Sequence, residues 1–204
     1  VAEGFDVLAG TGLVIEAVFE DAAVKRDALR EAERHVGPDT WIATNTSSLP
    51  VSDLASALEH PERFCGLHFF NPVPVSTLVE IIVGEATGDA LVAAAREWVA
   101  TLGKSAIVVR DSPGFASSRL GVALALEAMR MLEEGVATAE DIDTAMVQGY
   151  RHATGPLRTT DLVGLDVRLD IAEHLASTLG GRFAPPQILR AMENLKLALR
   201  LRLR

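Results

Sequence analysis

An α/β fold of the doubly wound kind, followed by an all-helical domain, is what this sequence predicts, and three observations carry that expectation. Short apolar runs of strand length alternate with helix-period segments up to about residue 110. After "RDSPGF" the strand-like runs stop. The remaining residues read as successive helices punctuated by glycine. The domain boundary is therefore expected at residues 110/111, giving an α/β domain over 1–110 and a helical domain over 111–204.

The elements follow in order. "GLVIEAVF" reads as a buried strand, "DAAVKRDALREAERHVG" as a helix ended by Gly37, and "TWIATN" as a second strand. A short helix is expected from about Val51, where Ser48 stands in position to cap it. "CGLHFF" and "LVEIIV" give two more strands joined by the proline-containing "NPVPVST". "GDALVAAAREWVATLG" is a helix closed by Gly103, and "SAIVV" a last strand. In the second domain one apolar helix over about 115–134 closes at Gly135, and Thr138 caps a second, with acids in its first turn. "TTDLVGLDVRLDIAEHLASTLGG" reads as a single third helix, and "PPQILRAMENLKLALRLRLR" as a fourth. Its alternating Leu/Arg end, from Leu199 to Arg204, suits neither a core face nor a domain edge.

Composition narrows the function classes. With 204 residues and 49% hydrophobic content the chain can bury one good core or two small ones. A net charge of −9 argues against broad attraction to nucleic acid or to acidic membrane surfaces. No apolar run has the length of a membrane span, which makes the cytoplasm the expected location. One cysteine, Cys65, excludes an internal disulfide framework, and the five histidines show no metal-ligand spacing. No G-x-G-x-x-G follows a strand, because "LAGTGL" precedes one and opens no helix. If the first domain is a nucleotide fold, its front half is expected to lie outside these residues.

His68 and Glu80 are the polar residues of two otherwise apolar strands. A carboxylate among Leu78, Val79, Ile81 and Ile82 is costly unless it is paired. On consecutive strands the two side chains can meet. Accepting one ring N–H would leave the opposite nitrogen of His68 open to a substrate proton, as an oriented general base requires. A hydrogen-bonded core histidine is the alternative, and this pairing alone does not decide between them. "ATNTSSL" places Asn45, Thr46, Ser47 and Ser48 in the loop after a strand, where ligands of such sheets bind. Glu20 and Lys25 likewise follow a strand and open a helix, and on spacing alone they read as solvated surface charges.

"LVIEAVFEDAAVKR", "ATNTSSL", "RFCGLHFFNPVPVSTLVEII", "DSPGFASSRL" and "EEGVATAEDIDTAM" resemble, in this order, the L-3-hydroxyacyl-CoA dehydrogenase family, which includes 3-hydroxybutyryl-CoA dehydrogenases. The resemblance runs from about Leu13 to Gly181. It implies a Rossmann-like NAD-binding domain, here partial, and a helical substrate-binding and dimerisation domain. It also implies NAD-dependent oxidation of an L-3-hydroxyacyl-CoA to the 3-keto form, in fatty acid β-oxidation or butanoate-type metabolism. By the same resemblance His68 exchanges a proton with the C3 oxygen, Glu80 holds its tautomer, and Ser47 bonds the substrate oxygen. Glu20, Lys25 and Asn45 lie on the nicotinamide side of NAD. Ser118 stands where many members carry an asparagine toward the acyl carbonyl. The implied partners are an acyl-CoA and a second copy of the chain, meeting through faces such as Leu120, Leu124, Met131 and Leu132. A competing expectation is a shortened, catalytically impaired paralogue that serves as a dimerisation or acyl-CoA-binding module. No lysine near the helix after "DSPGF" is placed to serve as a general base in the manner of other hydroxy-acid dehydrogenases.

Overall fold

The structure, a computed structural model, describes residues 4–193. It forms two compact units, one through Ala116 and one from Ser117. The Leu/Arg end and the later part of the fourth expected helix lie outside the described residues.

The first unit is built on a five-stranded sheet in sequence order: β1 (Leu13–Glu16), β2 (Trp41–Thr44), β3 (Phe64–Phe69), β4 (Leu78–Val83) and β5 (Ser105–Arg110). β1, β2 and β3 run parallel, β4 is antiparallel to β3, and β5 runs parallel to β4. Connection length explains the pattern. α1 (Ala22–His35) and α3 (Asp89–Thr101) carry the chain between β1 and β2 and between β4 and β5, as parallel crossovers require. The stretch 70–77 holds no helix, so the chain turns straight back and reverses direction. A parallel-dominated sheet with flanking helices, followed by helices alone, is the fold class read from the sequence.

Side-chain alternation divides the core into two layers. Leu29, Ile42, Val51, Leu54, Phe64 and Ile82 form one, beneath α1 and α2 (Val51–Ala55). Ala43, Cys65, Leu67, Ile81, Leu91 and Ala95 form the other, beneath α3. With both faces covered, β3 and β4 are buried almost without interruption and so read as continuous apolar runs. Gly66 lets α2 approach, because a Cβ there would stand 2.8 Å from Ile82 Cβ and 3.0 Å from Val51 Cγ2. α1 starts where the Asp21 carboxylate accepts the N–H groups of Ala23 and Val24. β1 is shorter than its apolar run, for the Val18 N–H turns in to the Glu16 carboxylate at 2.6 Å and leaves the ladder.

In the second unit, α4 (Ser117–Glu133) precedes Gly135, whose φ of 69° suits the reversal after it. α5 (Ala139–Thr144) is capped by Thr138, as its sequence suggests, and continues into a π-helical turn, Ala145–Gly149. The single third helix expected from the sequence is two helices, α6 (Pro156–Val163) and α7 (Leu165–Leu179). They break at Gly164, where φ is 106°. Asp143 caps α6 from a distance, accepting from Leu157 N and Arg158 N, and Gly155 leaves the room for that carboxylate. Val122, Leu126, Met129, Ala172, Leu175 and Leu189 form this unit's core. Residues 187–193 are helical as well.

Candidate active site

His68 and Glu80 are directly opposed in the antiparallel β3–β4 ladder, so both side chains leave the sheet on the α1/α2 face. His68 Nδ1 lies 2.7 Å from Glu80 Oε2. An ionised carboxylate can only accept, so Nδ1 carries the proton and the outer nitrogen, Nε2, keeps its lone pair in the neutral ring. Glu80 is fully buried and His68 nearly so. The second carboxylate oxygen, Oε1, accepts the backbone N–H of Ala116 at 3.2 Å. Such donors offset the cost of a buried charge. Phe70 and Phe115 flank the imidazole with ring centroids 4.5 and 5.6 Å away, which leaves it little room to turn. Phe115 reaches it from a left-handed backbone, φ 48°, directly after Gly114 at φ 74°.

A second polar cluster occupies the carboxyl ends of β1 and β2. Lys25, 0% exposed, rises from the first turn of α1 and donates to Glu16 Oε1 at 2.7 Å and to the Val18 carbonyl at 3.3 Å. Its ammonium also lies 3.4 Å from Glu20 Oε2. Thr44 donates to the other oxygen of Glu16. Glu20 Oε1 gathers the loop after β2, accepting from Thr46 Oγ1 at 2.5 Å, Ser47 N at 3.0 Å, and Ser48 N and Oγ at 3.1 Å each. Burial pushes the Glu20 carboxyl up. The bonds from Thr46 and Ser47, the charge of Lys25 and the Ser48 hydroxyl outweigh it and hold the group below its ordinary value.

Asn45 joins the two clusters. Its backbone N–H continues the sheet to Glu16 O at 2.8 Å, and its side-chain Oδ1 accepts Phe69 N–H, one residue past His68, at 3.1 Å. The amide donors of Asn45 and the exposed hydroxyl of Ser47 remain at the carboxyl edge of β1, β2 and β3. No hydrogen-bond partner of that hydroxyl stands among the described residues.

His68, Glu80, Asn45, Ser47, Glu20 and Lys25 are therefore brought together in the first unit. Ser118 stands in the first turn of α4, in the second unit. Two expectations change. Lys25 is not a solvated charge and presents no surface to a ligand, because its ammonium is spent on Glu16, Glu20 and a carbonyl. Ser48 does not cap α2, whose N-cap is Pro50, since its hydroxyl turns to Glu20 instead. Glu16 and Thr44 join this cluster although the sequence reading does not single them out. Glu16 carried the same signal as Glu80, an acid inside an apolar strand.

Among the described residues, no group of three or more His, Cys, Asp or Glu side chains could hold a metal ion, and no helix is long and apolar enough to cross a membrane. A cavity of about 560 Å³ in the second unit is lined by Asp143, Thr144, Arg158 and Asp161, and none of the predicted site residues reaches it.

Comparison with known proteins shows the family of the chain. Residues 1–112 match the family model described as 3-hydroxyacyl-CoA dehydrogenase, NAD binding domain, and residues 114–200 match the C-terminal domain of the same family. A 3-hydroxybutyryl-CoA dehydrogenase of Mycobacterium tuberculosis is 45% identical over 183 residues, 88% of this chain and 64% of the relative. A probable 3-hydroxybutyryl-CoA dehydrogenase of Bacillus subtilis is 41% identical over 87% of this chain and 62% of its own length. The chain thus spans a little under two thirds of these relatives. The crystal structure of (S)-3-hydroxybutyryl-CoA dehydrogenase from Ralstonia eutropha superimposes with a TM-score of 0.91 at 38% identity, over 96% of this chain and 69% of that one. With both units matched in order along nearly the whole sequence, the chain belongs to the 3-hydroxyacyl-CoA dehydrogenase family.

Proposed function

We propose that the whole protein is an NAD-dependent dehydrogenase that interconverts a short L-3-hydroxyacyl-CoA and its 3-ketoacyl-CoA. The observation that carries this reading is the His68–Glu80 pair, 2.7 Å apart and buried, with Nε2 as the unspent nitrogen. In the oxidising direction Nε2 takes the proton of the C3 hydroxyl, and Glu80 stabilises the imidazolium that forms. Ser47 donates its hydroxyl to the same oxygen as charge develops on it. NAD, when bound, accepts the hydride that leaves C3.

The carboxyl edge of the sheet fits the nicotinamide end of that cofactor. Its amide and hydroxyl groups, Asn45 and Ser47, are uncharged and suit a carboxamide. Phe19, 85% exposed beside Glu20, offers an apolar face to an aromatic ring. Glu20 shapes the loop that presents Ser47, and Lys25 acts through Glu20 without touching the ligand. Ser118 contributes a hydroxyl toward the acyl carbonyl. The exposed Leu120 and Leu124 of α4 serve the pairing of two copies.

The test is oxidation of NADH by the full-length protein with acetoacetyl-CoA, run beside His68→Gln. Turnover that the substitution abolishes supports the reading. A folded full-length protein that leaves NADH unchanged overturns it.

A further inference from the structure

We infer that Lys104 is a positioning residue for the His68–Glu80 pair, acting through the loop that joins them. This rests on the functional reading above and extends it to a residue outside the site. α3 ends at Thr101, and Gly103, at φ 69°, turns the chain so that Lys104 faces the 70–77 connection from just before β5. The Lys104 ammonium donates to the carbonyl of Val73 at 2.7 Å and, by a short hydrogen bond, to that of Ser76. No carboxylate lies within ion-pair distance of it among the described residues.

The loop has few other means of holding its shape. Val75 N–H and Ser76 N–H both point inward to the Pro72 carbonyl, at 2.9 and 3.0 Å. Pro72 and Pro74 have no N–H to give. Val73 and Val75 are exposed, so burial of their side chains adds little. The Val73 and Ser76 carbonyls both accept from the lysine head, which has three donors and no acceptor and so can bind the two at once. Ser105 N–H closes the same end of the sheet by donating to Thr77 O at 2.7 Å.

The geometry gives this clamp leverage over the pair. The loop leaves β3 directly after Phe69, itself fixed to Asn45, and enters β4 at Leu78, two positions before Glu80. A shift in the loop is transmitted to both strands, whose opposed residues are His68 and Glu80. Lys104 touches neither residue.

Lys104→Met keeps the aliphatic stem and removes the donors, whereas Lys104→Arg restores them. In the full-length protein, Lys104→Met should speed amide exchange in the 70–77 segment and leave α1 as in the parent. Because misplacement of catalytic groups by about 1 Å can cost about 10²-fold, kcat with acetoacetyl-CoA and NADH should fall by about tenfold or more, with a smaller change in KM. Lys104→Arg should recover most of the loss. Unchanged exchange in the loop overturns the clamp. Faster exchange with unchanged kcat overturns the positioning role, as does an equal loss in Lys104→Arg. An inactive parent protein overturns the functional reading and the positioning role with it, while the exchange data still decide whether Lys104 holds the loop.

Discussion

Glu80 receives donors on both of its oxygens: His68 Nδ1 on Oε2 at 2.7 Å and Ala116 N–H on Oε1 at 3.2 Å. One buried carboxylate therefore fixes both the ring that would move a proton and the last residue of the first unit.

Glu80→Gln keeps an oxygen for Ala116 but replaces the charge that orients and supports the imidazolium. Loss of general-base competence is worth about 10²–10⁴-fold, so kcat should fall by that order while NADH binding persists. Steady-state kinetics together with fluorescence titration of NADH check this. A kcat close to that of the parent would remove Glu80 from the mechanism.

Ser47 and Ser48 should separate cleanly. Ser47 meets Glu20 only through its backbone N–H, so Ser47→Ala should leave the melting temperature unchanged. Loss of a donor to a developing oxyanion costs about 10²-fold in kcat, which is the expected effect. Ser48→Ala removes a hydroxyl bond to Glu20 and should act mainly on stability. Thermal melts and kinetics on both variants suffice, and a reversed pattern would exchange their roles.

Glu20 is held below its ordinary carboxylate value of 4.5. The folded protein thus favours the charged form more than the unfolded chain does, and the stability this contributes is complete above that value. It is lost as the pH falls through the lowered folded value. In urea unfolding over a pH series, the gap between the parent and Glu20→Gln should be widest near neutrality and close in acid. A gap independent of pH would contradict the assignment.

Gly66→Ala tests how closely α2 sits on the sheet. Its Cβ would come within 2.8 Å of Ile82 Cβ, and overpacking a core typically costs about 1–3 kcal/mol. Denaturant midpoints should fall accordingly. Activity should fall as well, because Gly66 and Ile82 are paired two positions along the ladder from His68 and Glu80.

His68 and Glu80 were legible in sequence because a short connection between two apolar strands leaves little choice of register. Both are polar exceptions in otherwise continuous apolar runs. Lys25 was not legible, since a lysine in the first turn of a helix looks the same whether water or a buried acid receives it. Its acceptor, Glu16, lies on another element, and only the packing of α1 on β1 brings the two together. Gly164 failed for the opposite reason. "DLVGLD" continues an apolar helical pattern, and a single glycine inside such a pattern is usually tolerated. Ser48 had two available partners, and the sequence does not rank a helix end against a carboxylate.

The reversal between β3 and β4 also sets the electrostatic field at the carboxyl edge of β1, β2 and β3. α1 begins at that edge, following β1, and turns the positive end of its macrodipole toward it. α3 follows β4, which runs the other way, so α3 arrives at the same edge with its negative end. The positive end of α1 therefore meets the carboxylates of Asp21 and Glu20, beside Asn45 and Ser47, whereas the negative end of α3 stands near the ammonium of Lys104. A single change of strand direction gives the edge its polarity.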